Sequence, residues 1–287
     1  MKYKVTVPSG SRGGVRRAAR VVVANTVVYV GAVVCLGPLL WTVSTALKPE
    51  AAALTSKFFF GYRLHFNNFV EAWNFFPFGR YLLNSLVMSV GGVVVVLVAS
   101  TTGGYAFGRL RFSGRDKIFR LYVLTLLIPA SAVVVPLFLI VRFLHIYNSY
   151  LGLILPLSFS AFGTFLMVQF FRSLPRELSD AAKVDGASEL RTFLSVLLPL
   201  VRPAAAVLAV FTFIGDWGNF IWPLVATQSS NLSTLTLGLS SFQGEYGSFW
   251  SYLMAGSLIA IMPTVLLVIL LQRYLVRGLA FVGFGGR

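Results

Sequence analysis

The sequence predicts an all-α polytopic membrane protein with six transmembrane helices, and three observations carry that expectation. The first is composition. Of 287 residues, 57% are hydrophobic and 11% charged, with a mean hydropathy of +0.80. Soluble domains carry about 25% charged residues, so the apolar excess needs an apolar solvent beyond one soluble core. The second is segmentation. Six runs reach the ~20 mostly apolar residues that a spanning helix requires: 21–47, 82–107, 119–141, 150–171, 204–227 and 252–274. The third is charge placement, because 19 of the 24 Lys and Arg residues fall on alternate connections. Together these disfavour a soluble enzyme, a disordered tail and a coiled coil. A net charge of +15 would suggest nucleic acid in a soluble protein. Here the cations mark one side of a membrane, and no nucleic-acid partner is expected.

Residues 1–20 form a basic segment with Lys2, Lys4, Arg12, Arg16, Arg17 and Arg20, suited to anionic lipid and to the cytoplasmic face. The first span, 21–47, is longer than the 7–15-residue apolar core of a signal peptide, so it is predicted to stay as a helix. Residues 48–81 make an extracytoplasmic connection rich in aromatics: Phe58, Phe59, Phe60, Tyr62, Phe66, Phe69, Trp73, Phe75 and Phe76. Such residues suit an interfacial belt with a small packed loop, or a contact surface for an external partner.

Residues 82–275 hold the other five spans. Pro38, Pro129, Pro136, Pro156, Pro223 and Pro263 lie inside spans and predict kinks, since neighbouring helices can satisfy the freed backbone groups. Arg109, Arg111, Arg115, Lys117 and Arg120 follow the second span. Arg172, Arg176, Lys183, Arg191 and Arg202 occupy the connection 172–203. Arg273 closes the last span, and Arg277 and Arg287 lie in the tail 276–287. The opposite side has Lys48, Lys57, Arg63, Arg80 and Arg142. The positive-inside rule therefore places both termini in the cytoplasm, and an even number of spans agrees. Residues 228–251, rich in Ser, Thr and Gly, read as an exposed loop able to re-enter a membrane cavity. The one cysteine, Cys35, excludes an intrachain disulfide and a Cys-based zinc cluster.

The connection 172–203 is unusually organised. Glu177 to Val184 combine helix formers with acids in the first turn. Gly186 stands where a helix would stop, Ser188 can cap a second helix, and Glu189 falls in that helix's first turn. Phe193, Val196 and Leu197 follow at helical spacing, and Pro199 and Pro203 bracket the return to the membrane. The expected result is helix, sharp turn, helix. Ala181, Ala182 and Gly186 are small enough to let another protein approach closely.

Inside the membrane, Asp216 is the only acid, and an ionisable group there is a functional candidate by default. Thr212, Asp216 and Asn219 fall at i, i+4 and i+7, on one face of a continuous helix, with Trp217 and Trp222 nearby. Such a stripe offers a sugar hydrogen bonds and ring stacking, or serves as a hydrogen bond between helices. Asn84 and Gln169 are weaker candidates for the same pathway. His65 and His145 are far apart without neighbouring ligands, so no metal site is expected. No Ser/His/Asp arrangement or phosphate-binding G-x-x-x-x-G-K-[ST] loop occurs, so no catalytic residue is assigned.

The segment Asp180-Ala181-Ala182, Asp185-Gly186-Ala187 and Leu198-Pro199 resembles the EAA loop of permease subunits in bacterial ATP-binding-cassette importers. Asp180 stands where that family has glutamate. Asn84-Ser85-Leu86, the run Tyr105 to Phe112, Gly152 to Pro156, Trp217 to Leu224, Gln272-Arg273-Tyr274 and Gly278-Leu279 extend the likeness over nearly all the chain. Together they look like the sugar-importer permeases similar to the second membrane subunit of maltose-type systems. Trp217-Gly218-Asn219-Phe220 departs from the usual Trp-Asn-Glu-Phe, and the ending Gly283 to Arg287 departs as well.

The resemblance implies a non-enzymatic permease in the bacterial cytoplasmic membrane, forming half of a pathway for a sugar or related polar solute. It implies that Glu177, Asp180, Ala181, Ala182, Asp185, Gly186, Ala187 and Ser188 couple to a cytoplasmic ATPase, making 172–203 a coupling-helix loop. The implied partners are a second permease, usually as a hetero-pair, two ATPase copies carrying ATP and Mg, an extracytoplasmic solute-binding protein and membrane lipid. This chain itself would bind no cofactor. From the residues alone, an ion- or proton-coupled secondary transporter using Asp216 remains the alternative.

Overall fold

The structure is a computed structural model describing residues 11–55, 63–244 and 247–284. Lys2, Lys4, Lys57, Phe58, Phe59, Phe60, Tyr62 and Arg287 lie outside those residues. In chain order the α-helices are α1 (Ser11–Ala46), α2 (Asn67–Phe75), α3 (Phe78–Gly108), α4 (Arg115–Leu124), α5 (Ala130–Phe143), α6 (Tyr150–Ile154), α7 (Ala161–Ser173) and α8 (Glu177–Val184). There follow α9 (Glu189–Arg191), α10 (Leu198–Leu200), α11 (Arg202–Trp217), α12 (Ile221–Ala226), α13 (Leu235–Leu239) and α14 (Trp250–Phe284). A π-helical stretch, Thr192–Leu197, joins α9 to α10. One two-residue hairpin pairs Gln243 with Ser248 and Gly244 with Gly247.

Helix α3 is the ruler of the molecule. Its 31 residues span roughly 46 Å, longer than the ~30 Å bilayer core. At its N-terminal end the loop after α1 ties three elements together. The Asn68 side chain donates to the carbonyls of Ala46 and Lys48, each at 2.8 Å. The Glu50 carboxylate accepts from the Trp250 and Ser251 backbone amides at 2.8 and 2.9 Å. Those amides open α14, where a helix has free donors and a partial positive charge. Beneath these bonds Ala46, Ala72, Phe242 and Ala255 are fully buried together.

Along its C-terminal half α3 packs on α7 through small residues. Ser100, Gly104 and Gly108 repeat every four residues, so they share one face. A Cβ on Gly104 would lie 2.5 Å from the Met167 Cβ and 3.3 Å from its Cα. On the other helix a Cβ on Gly163 would lie 2.5 Å from the Ser100 Oγ. Backbone contact this close holds helices together where lipid removes the hydrophobic drive between them. Beside the seam, Tyr105, Met167, Phe171, Phe193, Leu197 and Leu208 form the largest apolar cluster.

Among the described residues three helical stretches are long and apolar enough to cross a membrane: Val21–Ala46, Phe78–Gly108 and Trp250–Gln272. Three bent pairs add up to three more, giving the all-α polytopic architecture. Arg115–Leu127 meets Ala130–Phe143 at 107°, Tyr150–Leu157 meets Ala161–Ser173 at 50°, and Glu189–Leu200 meets Arg202–Trp217 at 74°. Residues before a proline avoid helical backbone. Ile128, before Pro129, is accordingly extended at ψ 119, and the expected kink in 119–141 becomes a break.

The expected run 204–227 requires a larger correction. Its helix starts at Arg202 and stops at Trp217, Phe220 precedes a separate short helix, and the segment before it, Glu189–Leu200, meets it at 74°. Both terminal helices also outrun their expected limits of 21–47 and 252–274. No proline interrupts Ser11–Arg20 or Arg273–Phe284, and the helices continue through them. Residues 228–244 differ from an exposed loop as well: Thr234, Leu235 and Phe242 are buried, and Ser85 Oγ accepts from the Leu235 amide at 2.8 Å.

Candidate functional site

The connection after α7 folds as a hairpin of helices at the C-terminal end of α3. Helix α8 ends at Val184, and the chain turns at Gly186, whose φ of +78° suits a residue without a Cβ. The Gly186 amide donates to the Lys183 carbonyl at 3.0 Å and the Ala187 amide to the Ala182 carbonyl at 2.9 Å, closing the last turn. Ser188 is extended, and its Oγ accepts from the Arg191 amide at 3.3 Å, capping the next helix. That helix runs through the π-helical turn to Leu200 and bends into α11.

Glu189 is the fastener of the hairpin. One carboxylate oxygen receives Lys183 Nζ at 2.6 Å, across the turn. The other receives the Tyr105 hydroxyl at 2.6 Å, from the last turns of α3. The Tyr105 ring lies 4.9 Å from Phe193 and 5.9 Å from Phe171, so the same residue joins the hairpin to α7. Arg109 Nη2 donates to the Leu174 carbonyl at 2.6 Å and braces the entry to α8. Burial and the neighbouring Arg176 both push the Arg109 guanidinium below its ordinary range.

Hydrogen bonding from Lys183, then from Tyr105, holds the Glu189 carboxyl below its ordinary value of 4.5. A carboxyl lowered by folding contributes stability above its unfolded value and loses it as pH falls through the folded one. Backbone amides of 183–191 should therefore stay protected from hydrogen exchange at neutral pH and lose protection as pH falls through the lowered Glu189 value. Glu189→Gln should show weaker protection at neutral pH and no acid step. An acid step as large as in the parent would contradict this.

The hairpin presents a mixed surface outward. Glu177, Asp180, Ala181, Asp185 and Gly186 are exposed, and a Cβ on Gly186 would meet nothing within 4 Å. Val184 is 88% exposed and Leu190 65%. Ala187 is half-buried. Ala182 departs from the expected accessible small-residue face: it is buried beneath the turn and offers a partner no surface.

The membrane-embedded candidates separate. Asp216 and Thr212 share a face of α11, both half-buried, and the Asp216 carboxylate lies against Gly92, where a Cβ would collide with it. Gly92 is near the midpoint of α3. Among the described residues no side chain hydrogen-bonds to that carboxylate. Asn219 does not complete the stripe, because α11 ends first. Its side chain instead accepts from the Trp222 amide at 3.1 Å.

Trp217 faces α14, donating Nε1 to the Ala260 carbonyl at 2.9 Å and stacking on Phe213. Asn84 is buried and fully engaged. It accepts from the Tyr150 hydroxyl at 2.6 Å and donates to the Asn231 and Ser233 carbonyls at 2.9 Å. Gln169 is exposed, one turn before the end of α7. Sequence reasoning missed Tyr105 and Val184. The tyrosine opened a quoted motif, while nothing in an apolar residue after Lys183 announced that it would face outward.

The family described as "Binding-protein-dependent transport system inner membrane component" matches residues 96–281, more than half of the chain and all of the hairpin. The chain belongs to this family. It is a permease subunit of a transporter and not an enzyme. Among its relatives is the sn-glycerol-3-phosphate transport system permease protein UgpE of Pectobacterium atrosepticum. That relative is 40% identical over 205 residues, covering 71% of the permease and 73% of the relative.

The arabinooligosaccharides transport system permease protein AraQ of Bacillus subtilis is 34% identical, covering 72% and 74%. The lactose transport system permease protein LacG of Rhizobium radiobacter is 30% identical over 264 residues, covering 92% of the permease and 96% of the relative. The fold is shared with a bacterial ABC transporter involved in the import of the acidic polysaccharide alginate. That likeness has a TM-score of 0.80 at 23% identity, and covers 93% of the permease and 99% of the matched chain.

Proposed function

We propose that the permease forms half of the translocation pathway for a sugar or related polar solute, and that residues 177–200 couple it to a cytoplasmic ATP-binding-cassette ATPase. The observation that carries this is the pairing of an exposed acidic and apolar hairpin with a direct tie into the spans. Val184, Leu190, Asp180 and Asp185 face outward, while Glu189 clamps the turn to Tyr105 of α3. A surface of exposed apolar side chains on a rigid turn suits a protein partner. Displacing the hairpin would load α3 and α7 through the Tyr105, Phe171 and Phe193 rings. The ATPase, in two copies, would hold ATP and Mg.

The solute class follows from the relatives, named for glycerol phosphate, arabinooligosaccharides and lactose. Thr212 and Asp216 are the pathway groups this reading retains, because the free carboxylate oxygens can accept sugar hydroxyls. Asn84, Trp217 and Asn219 are committed to holding helices and loops. ATP drive leaves Asp216 no proton-coupling task.

A second permease, differing in sequence from this one, would cover part of the bare apolar surface. Val21 to Leu36 are exposed throughout, and of Trp250–Gln272 only Ser251, Ala255 and Gly256 are buried. The hairpin, the 109–120 connection and both chain ends would face the cytoplasm, and a solute-binding protein would approach the end carrying α2 and residues 228–244. Asp180→Lys tests the docking reading. The charge-reversed complex should retain several-fold less ATPase on purification, with the paired permease unchanged. Full retention of the ATPase would contradict it.

A further inference from the structure

A concave surface of about 570 Å³ lies between the 109–120 connection and the start of α8. Its walls carry Arg111, Arg115, Lys117, Arg120 and Arg176, with Asp116 as the single acid. That carboxylate is already occupied, lying 3.1 Å from Arg115 and 3.6 Å from Arg172. Its hydrogen bond with Arg115 holds the carboxyl below the ordinary range, so it stays ionised. Among the described residues Arg111, Lys117 and Arg176 have no ion-pair partner. A net excess of four cations in one hollow calls for an anion.

The surface beside the hollow narrows the choice of anion. Phe112, in its wall, is 43% exposed. Along α4, Ile118, Leu121 and Leu124 recur every three residues and are 50%, 67% and 54% exposed. The hollow therefore continues into an apolar stripe on a helix that enters the bilayer. A free phosphate or an acidic peptide would match the charge and leave the stripe bare. A molecule with an anionic head and hydrocarbon chains matches both.

We infer that this hollow binds the headgroup of an anionic phospholipid, with its acyl chains along Ile118, Leu121 and Leu124. Arg176 stands immediately before α8, so an occupied site braces the base of the hairpin. The inference rests on the membrane setting of the family and not on the ATPase docking proposed above.

The test is native mass spectrometry of the complete transporter, delipidated in neutral detergent and then offered phosphatidylglycerol or phosphatidylcholine. The parent should retain phosphatidylglycerol about tenfold better. Removing two cations in Arg111→Gln/Lys117→Gln should erase that preference, because roughly fivefold per cation exceeds tenfold for the pair. Lys117→Arg should keep it, which separates loss of charge from loss of fold. Equal retention by parent and double variant would overturn the inference. So would displacement of the lipid by water-soluble glycerol 1-phosphate at equal concentration, which would mark a free-phosphate site. Loss of the ATPase with lipid retained would also overturn it, assigning the patch to the ATPase.

Discussion

Gly186→Pro is expected to leave the permease inserted and paired but to cut solute uptake more than tenfold, with ATP hydrolysis no longer responding to solute. Gly186 sits at φ +78°, and proline fixes φ near −65°. Proline also deletes the amide that donates to the Lys183 carbonyl. Both changes fall on the turn that sets Lys183 against Glu189, and Glu189 against Tyr105. The spans should survive, because nothing packs within 4 Å of a side chain at this position. Gly186→Asn should keep most activity, since asparagine tolerates the left-handed region. Reconstituted complexes read this out directly. Solute-stimulated hydrolysis at the parent rate in the proline variant would contradict the role given to the turn.

Gly104→Ile should be the most damaging substitution within the membrane. Its Cβ would press on the Met167 Cβ, carbonyl carbon and Cα at 2.5, 3.1 and 3.3 Å, so relief requires α3 and α7 to separate. Overpacking of this kind costs about 1–3 kcal/mol, and contact with backbone puts it at the upper end. A loss near 3 kcal/mol corresponds to a melting temperature lower by roughly 6–12 °C. Gly31→Ile, on the bare face of α1 with nothing within 4 Å, should shift it little. Thermal unfolding of the detergent-purified permease on its own distinguishes the two. Equal shifts would show that the seam does not hold the bundle.

Much of this fold was legible because its local signals are strong. A bilayer demands apolar runs of a set length, and Gly186, Ser188, Pro199 and Pro203 punctuate the hairpin at the positions where the backbone turns. What escaped the sequence depends on pairs distant along the chain. Tyr105 and Glu189 are 84 residues apart, and Asn84 meets Asn231 across 147. Neither polar residue advertises its partner. Prolines announced interruptions but not their angles, and Pro129 yields a break of 107° where a kink was expected. The polar stripe failed at Asn219 because helical periodicity was extended past Trp217, where the helix ends. Ala182 looked accessible because it is small, yet it lies on the inner side of α8.

The central claim is that the hairpin of 177–200 meets the ATPase while α3's other end faces away from it. The only native cysteine is Cys35, so a Cys35→Ser background isolates any cysteine introduced elsewhere. Bifunctional thiol cross-linking of the assembled transporter, with a matching cysteine on the ATPase surface, is the most direct measurement. Ala187→Cys should cross-link to the ATPase in high yield, and Ser229→Cys, at the opposite end of α3, should not. An ATPase adduct from Ser229→Cys, or its absence from Ala187→Cys in an active complex, would contradict the account.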